Sequence, residues 1–250
     1  MKKKYLIIGV VVIVLGLAAY LLFKNDQATA PAPSTNNSKP VDNTGTTPAA
    51  TSPAAFDKTK YSLTDPNSPW VVVNKTRPLQ PKTYAPTDLT SVGNGQQMHR
   101  EAAEALQQLF AGAKQAGLTV TAASAYRSYN YQIQVYNSEV QTYGQAVADS
   151  ESARPGTSEH QTGWAVDVAG GGCSVEDCFG DTAEGKWVAA HASEYGFILR
   201  YPQGKEAVTG YRYEAWHIRY VGTDLAQEMK RQNSLTLEEF FGLPAAPNYL

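Results

Sequence analysis

The sequence contains few cysteines, few histidines and almost no net charge. Two cysteines and four histidines occur among 250 residues, and the formal charge is −2. Two cysteines with no neighbouring pair do not supply the four ligands of a structural zinc site. The near-neutral charge gives no reason to expect nucleic-acid binding. With so few histidines, chance pairings are few, so any two that fit one metal site carry weight.

Large apolar residues form one long run near the N-terminus. Lys2, Lys3 and Lys4 precede residues 5–23, which contain no charged side chain. As a helix this run spans roughly 28 Å, close to the hydrocarbon thickness of a bilayer. We therefore predict a transmembrane anchor, with residues 1–4 cytoplasmic and the rest of the chain extracytoplasmic at the cell membrane. A cleaved signal peptide ending near Ala30 is the alternative, but the run exceeds the usual 7–15 residues.

Residues 24–55 are rich in proline, threonine, serine and asparagine and contain few large apolar side chains. Such a segment cannot bury enough apolar surface to offset its ordering entropy, so we predict a disordered linker. Residues 56–250 suffice for one folded domain. There Cys173 and Cys178 lie in a glycine-rich stretch. In an exported protein a local disulfide between them is favoured over free thiols.

One segment combines a histidine, a turn residue and an alternating apolar run. His160 is followed by Gly163, which permits a turn, and then by residues 164–169. In a strand Asp167 faces the side opposite Trp164, with small residues beside it. This leaves room for a metal ion next to Asp167.

A second segment supplies another histidine and another carboxylate. His217 lies in the strand-like residues 215–221, and Glu214 precedes it. Two imidazoles and one carboxylate suit a catalytic zinc, which keeps one position open, and Glu214 is the candidate general base. Residues three apart face opposite sides of a regular strand, so we expect Glu214 at a bend or bulge where the strand begins. His99 and His191 are interpreted as ordinary helix residues.

Three stretches share the motifs of a known family. They are Ser158-x-His160-x-x-Gly163-x-Ala165-x-Asp167, Glu214-x-Trp216-His217 and Ser124-Ala125-Tyr126-Arg127-Ser128-Tyr129-x-x-Gln132. Together they resemble the VanY-type D-alanyl-D-alanine carboxypeptidases and the related L,D-carboxypeptidases. The resemblance covers roughly residues 124–222, which is most of the expected folded domain.

The resemblance implies a role for each matching residue. Zinc would be bound by His160, Asp167 and His217, water activated by Glu214, and substrate held by Arg127, Gln132, Ser158 and Trp216. Arginine also suits this role on physical grounds, because its planar fork binds a terminal carboxylate bidentately. Taken singly, Arg127 could equally form an ion pair, and Gln132 could be a helix-surface amide.

Hydrophobic spacing predicts helices first and then strands near the metal site. We predict helices over residues 98–116, 129–143, 182–195, 222–232 and 236–241, strands over 119–125, 164–169, 197–201 and 215–221, and a polar loop over 146–162. The second helix carries an apolar stripe that we interpret as core packing, formed by Tyr129, Ile133, Tyr136, Val140 and Tyr143. The expected fold class is α+β, with a small, mostly antiparallel sheet flanked by helices in a single catalytic domain.

The predicted function is that of an exported zinc carboxypeptidase that removes the terminal D-alanine from peptidoglycan stem peptides. An L,D-carboxypeptidase acting on tetrapeptide stems stays open, because both types share these motifs. So does a non-catalytic wall-binding module, although Glu214 beside three metal ligands argues against it. An endopeptidase would need a cleft open at both ends. The expected partners are stem peptides and, through the anchor, the membrane.

Overall fold

Residues 55–250 are described by the computed structural model and form antiparallel strands flanked by helices. The strands are β1 (Leu89–Gly93), β2 (Gln96–His99), β3 (Val120–Ser124), β4 (Ala165–Gly170), β5 (Cys173–Ser174), β6 (Phe197–Leu199) and β7 (His217–Tyr220). The helices are α1 (Arg100–Gln115), α2 (Tyr129–Tyr143), α3 (Gln145–Glu151), α4 (Ala183–His191), α5 (Glu206–Thr209), α6 (Thr223–Arg231) and α7 (Leu237–Phe241). Short 3₁₀-helices occupy Glu159–Thr162, Asp177–Asp181 and Ala192–Tyr195. The predicted α+β class and single domain are confirmed.

The main sheet places the site on one of its faces. Its strand order is β3-β4-β7-β6, with β5 paired to β4, and all pairs are antiparallel. Asp167 on β4 lies opposite His217 on β7, and Val166 lies opposite Ile218. Because successive side chains alternate between faces, the apolar pair packs into the core while the polar pair shares the other face.

Helix α1 forms the other side of the core. Its buried residues recur at helical spacing and are Ala102, Ala103, Leu106, Leu109 and Ala113. Gly117, at φ 78°, follows the helix, as the sequence predicts. The predicted start at residue 98 is wrong, because Met98 and His99 belong to β2 in the hairpin β1–β2. His99 is therefore not a helix residue; it is buried and stacks on Trp164 with ring centroids 3.9 Å apart.

Helix α2 has the predicted bounds but not the predicted packing. The Ser128 hydroxyl caps its N-terminus by accepting from the Tyr131 amide, and Gly144 follows its last residue. The buried residue of the helix is Gln132, whereas Tyr143 is 60% exposed. The other members of the predicted stripe, Tyr129, Ile133, Tyr136 and Val140, are only half-buried. The interpretation of this tyrosine row as core packing is therefore wrong.

The stretch from residue 146 to residue 162 is not the predicted loop throughout. Most of α3 and the 3₁₀-helix Glu159–Thr162 lie within it. The helix predicted over residues 182–195 is α4 followed by a 3₁₀-turn, and His191 is its last α-helical residue, as expected. Polar composition hid both short helices, since neither has an apolar periodicity of its own.

A disulfide joins Cys173 and Cys178, as predicted. It closes a short loop beside β4 that contains Val175, whose φ is 47°. Among residues 55–250 no helix is both long and apolar enough to cross a bilayer. The anchor predicted at residues 5–23 and the linker at 24–55 fall almost wholly outside the described residues and stay predictions.

Candidate active site

Three elements bring the predicted metal ligands together. His160 lies in the 3₁₀-helix Glu159–Thr162, and Gly163 ends that turn at φ 77° and leads into β4. A side chain there would crowd the His99 amide nitrogen, 3.4 Å from the position of a Cβ. Asp167 on β4 and His217 on β7 are register partners. The turn and the sheet register thus deliver three side chains to one point.

The ligand atoms lie at distances that suit one small cation. Asp167 Oδ2 is 3.2 Å from His160 Nε2, and Asp167 Oδ1 is 3.0 Å from His217 Nδ1. One atom from each side chain lies within 4.8 Å of the others, and all three residues are buried. Ligands at about 2.0–2.1 Å from a tetrahedral zinc ion are roughly 3.3 Å apart. The donor set and its spacing therefore fit zinc.

His160 is held in the tautomer that a metal ligand requires. Its Nδ1 lies 2.7 Å from the carbonyl oxygen of Ala125, so the proton belongs on Nδ1. Nε2 is buried, has no hydrogen-bond partner among the described residues and is free to bind a metal. Burial lowers the pKa of His160 to about 4, and the positive charge of Arg127 adds to this effect. Both influences favour the neutral ring, which is the form that binds metal.

Asp167 and His217 form a strongly coupled pair. Burial alone would raise the pKa of Asp167, but His160 and His217 hold it well below its usual range. Burial alone would lower the pKa of His217, but Asp167 and Glu159 raise it to about 9. The site therefore stabilises a positive charge beside Asp167, and a bound metal ion would supply such a charge.

Glu214 reaches the site because the chain turns before β7. The amide of His217 donates to the carbonyl of Glu214 at 3.3 Å, and the amide of Glu214 donates to Tyr201 at 3.0 Å. This turn agrees with the bend expected at the start of the strand. It places Glu214 Oε2 3.7 Å from His217 Nδ1. Burial raises the pKa of Glu214 to about 7, so the carboxyl can both accept and release a proton near neutral pH.

Arg127 faces the same cavity from the end of β3. Its Nη2 lies 4.0 Å from Asp167 Oδ2, and its side chain is 18% exposed. The Arg127 amide donates to the carbonyl of His160 at 3.2 Å, which ties the two segments together. The guanidinium thus stands beside the metal ligands and open to the cavity.

The other predicted substrate contacts divide into two groups. Ser158 and Trp216 line a cavity of about 290 Å³ that also contains Arg127, Glu214 and the three metal ligands. Gln132 does not line it. Its Nε2 donates to the carbonyl of Ala153 at 2.7 Å, behind the cavity wall. A direct contact of Gln132 with substrate stays a prediction, and its observed role is to hold the segment before Ser158.

Sequence reasoning missed a group of buried charges behind the metal ligands. The side chains of Glu159, Arg200, Arg219 and Glu238 are all fully buried and joined by ion pairs. The one available signal was the position of both arginines within apolar, strand-like runs, where an unpaired charge would be costly. We refer to these four residues as the buried ion cluster.

Comparison with known proteins identifies relatives of this chain. A family model described as VanY, D-alanyl-D-alanine carboxypeptidase, matches residues 95–223. A D-alanyl-D-alanine carboxypeptidase of Enterococcus faecalis is 34% identical over 200 residues, which cover 76% of this chain and 69% of that protein. The matched family segment contains every predicted site residue.

Solved structures show the same similarity in three dimensions. The LdcB LD-carboxypeptidase, described in relation to peptidoglycan recognition, aligns with a TM-score of 0.65 at 41% identity, covering 71% of this chain and 87% of that one. A VanY D,D-pentapeptidase from a VanB-type vancomycin resistance cassette, in complex with Zn(II), aligns with a TM-score of 0.60 at 32% identity, covering 68% and 97%.

Proposed function

Because the chain belongs to the VanY family of D-alanyl-D-alanine carboxypeptidases, we propose that it is a zinc-dependent carboxypeptidase that removes the terminal D-alanine from peptidoglycan stem peptides. The observation that carries this proposal is the convergence of His160, Asp167 and His217 beside Glu214. It is a hydrolytic site that needs no nucleophilic serine or cysteine.

The three metal ligands would hold the ion through His160 Nε2, Asp167 and His217 Nδ1. Zinc at such a site supplies Lewis acidity, which lowers the pKa of water from about 15.7 to about 7 and polarises a carbonyl. The chain's own contribution is to keep the His160 ring neutral and Asp167 ionised. The relative solved with Zn(II) supports this choice of metal.

Glu214 would move the proton during hydrolysis. Its carboxylate accepts a proton from the attacking water and then donates it to the amine of the departing D-alanine. A pKa near 7 suits both steps, because the two forms of the side chain are then similar in free energy. Burial of Glu214 raises its pKa to this value, and the charge of His217 opposes the shift.

Arg127 would bind the C-terminal carboxylate of the substrate. The carboxylate of a terminal D-alanine and the planar guanidinium can form two parallel hydrogen bonds. The placement of Arg127 beside Asp167 puts the scissile bond, one residue away, near the metal ligands. This geometry favours an exopeptidase, since a chain continuing past that point would lack the charge that Arg127 recognises.

A second candidate substrate is the tetrapeptide stem, cleaved by an L,D-carboxypeptidase. The 41% identity to the LdcB LD-carboxypeptidase exceeds the 32% identity to the VanY D,D-pentapeptidase. Both reactions release a terminal D-alanine and use the same groups. They differ in the configuration of the residue that supplies the scissile carbonyl.

One experiment tests the proposal and separates its two substrates. The zinc-loaded protein is incubated with a pentapeptide stem ending in D-alanyl-D-alanine and, separately, with a tetrapeptide stem, and products are identified by mass spectrometry. Loss of one alanine from the pentapeptide supports the D,D reaction, and loss from the tetrapeptide supports the L,D reaction. Release from neither, with binding retained, would favour the wall-binding module. Chelation followed by zinc or magnesium addition is the matched metal control.

We also propose that the protein is exported and held at the cell membrane by residues 5–23. The length of that apolar run and the preceding lysines support this location. The Cys173–Cys178 disulfide is consistent with it, because such bonds persist in oxidising compartments. Fractionation of cells and protease treatment of intact spheroplasts would detect the domain outside, and a protected domain would contradict the proposal.

A further inference from the structure

The buried ion cluster connects the C-terminal helix α7 to the metal ligands. Arg200 donates from Nη1 and Nη2 to Glu238 at 3.0 and 2.8 Å, and from Nε to Glu159 Oε1 at 2.8 Å. Arg219 donates from Nη1 to the same Glu159 Oε1 at 2.7 Å. Two positive and two negative side chains therefore balance inside the protein.

Such a cluster is not explained by stability alone. Taking a charged side chain out of water costs several kcal/mol, and a well-packed apolar group of similar volume is often as stabilising as a buried ion pair. Arg219 and Arg200 lie on or next to β7 and β6, where apolar side chains would suit a core. The carboxylate of Glu159 has one further neighbour besides its two arginines, the ring of His217.

The two carboxylate oxygens of Glu159 have different surroundings. Oε1 accepts from both guanidiniums, whereas Oε2 is buried and has no hydrogen-bond partner among the described residues. Oε2 lies 3.6 Å from His217 Nε2, which is likewise buried and without a hydrogen-bond partner there. A movement of roughly 0.6 Å would bring these two atoms to ordinary hydrogen-bond distance.

The opposite edge of the His217 ring faces the metal site. Its Nδ1 is 3.0 Å from Asp167 Oδ1 and 3.7 Å from Glu214 Oε2. A proton on Nε2 would meet the acceptor Glu159, and Nδ1 would then carry the lone pair that a metal needs. In His160 the two nitrogens have exchanged roles. Its Nδ1 donates to the carbonyl oxygen of Ala125, which leaves Nε2 to bind the metal.

We propose that Glu159 is a positioning residue that accepts the Nε2 proton of His217 and so fixes Nδ1 as the metal-binding atom. Arg200 and Arg219 hold the carboxylate in place by occupying Oε1. Glu159 does not touch substrate or the reacting atoms, and it acts through His217. The inference rests on the zinc site of the proposed function.

The sharpest test compares two glutamates of the same cluster. Glu159→Gln offers one acceptor oxygen where the carboxylate offers two, so the guanidiniums and His217 must compete for it. Glu238→Gln makes the same chemical change to the same arginine partner, without a contact to His217. Zinc dissociation constants are measured by competition with a chromophoric chelator, and folding is checked by circular dichroism.

Glu159→Gln should lose about 10- to 100-fold in zinc affinity, the range typical when the hydrogen-bond partner of a metal-binding histidine is altered. Glu238→Gln should keep wild-type affinity. Unchanged affinity in Glu159→Gln would overturn the proposal. Equal losses in both variants would also overturn it, because they would show a general effect of disturbing the cluster.

A measurement on the unaltered protein covers the case in which Glu159→Gln does not fold. Long-range proton–nitrogen NMR spectra of the zinc-loaded protein, labelled with ¹⁵N in histidine, identify the protonated nitrogen of His217. A proton on Nε2 supports the proposal, and a proton on Nδ1 refutes it while leaving the zinc site intact. Failure of the wild-type protein to bind zinc would instead refute the proposed function, and this inference with it.

Discussion

At the scale of single residues, burial gives the carboxyl groups of the site different properties. Asp167 stays ionised because His160 and His217 surround it, whereas burial raises the pKa of Glu214 to about 7. The same side-chain chemistry thus supplies a permanent anion and a group that exchanges protons. Neighbouring charges and exclusion of water, rather than residue type, assign the two roles.

Glu214→Gln should retain zinc and lose at least 100-fold in kcat, because the amide cannot accept the proton of water. Metal content by mass spectrometry and alanine release from a stem peptide would be measured together. Glu104→Gln, an exposed change on α1, is the control and should behave as wild type. Turnover unchanged in Glu214→Gln would remove Glu214 from its proposed role.

Arg127→Met should lower kcat/KM by about 30-fold, which corresponds to loss of about 2 kcal/mol from hydrogen bonds to a charged group. Steady-state kinetics on stem peptides would show the change. Arg212→Met is a matched control at the cavity rim, where the guanidinium is engaged by Asp177 at 2.7 Å. Equal losses in the two variants would contradict a specific contact of Arg127 with the substrate carboxylate.

The convergence of His160, Asp167 and His217 was predictable because all three lie in specific motifs that resemble one family, although His217 follows Asp167 by 50 residues. The partners of Glu159 were not predictable, because Arg200 and Arg219 follow it by 41 and 60 residues and lie outside those motifs. Pairing at such separations depends on strand order and register, which hydrophobic spacing does not encode.

At the scale of elements, apolar periodicity located the longer helices well. Helices α1, α2 and α6 end within a residue or two of the predicted positions, since each meets a glycine or loses its amphipathic pattern. The hairpin β1–β2 and helix α3 were missed. Both are short, and only three of nine strand residues and one of seven helix residues are buried, so their patterns carry little signal.

Helix α4 provides a test of close packing between elements. Gly185→Ala would normally favour a helix by about 1 kcal/mol. Here the new Cβ would collide with the carbonyl oxygen of Phe179 and lie 2.8 Å from its carbon, so we expect destabilisation of about 1–3 kcal/mol. The measurement is urea unfolding. Ala190→Gly, on the exposed side of α4, is the control for helix propensity, and a stabilised Gly185→Ala would contradict the close contact.

At the scale of the whole molecule, the buried ion cluster joins distant parts of the chain. Glu238 on α7 also accepts from Asn74 Nδ2 at 2.9 Å, and Arg219 donates to the carbonyls of Pro69 and Val71. Hydrogen bonds thereby connect residues 69–74, near the start of the described domain, and α7, near its end, to the cluster that includes Arg219 on β7. Loss of charge at one member should therefore lower the free energy of unfolding of the domain.

Stability should therefore fall in acid. Burial alone would raise the pKa of Glu238, but Arg200 and Asn74 hold it below its usual value of 4.5. A lowered folded-state pKa contributes stability above pH 4.5 that is lost as pH falls through the folded value. Glu238→Gln should lower the free energy of unfolding by about 3 kcal/mol at pH 7. Below pH 4 the difference in free energy of unfolding between the variant and the wild type should become smaller, because Glu238 of the wild type then also loses its charge. Urea titrations at both pH values would measure this, and a constant difference would contradict it.

The Cys173–Cys178 bond has a consequence for how active protein is obtained. Val175, between the two cysteines, lines the catalytic cavity. The segment that carries Val175 is therefore held in place against the cavity only once the two thiols have been oxidised to the disulfide. Protein prepared from a reducing cytosol would lack this disulfide. Its selectivity among peptides would then depend on whether the two cysteines had been oxidised during purification.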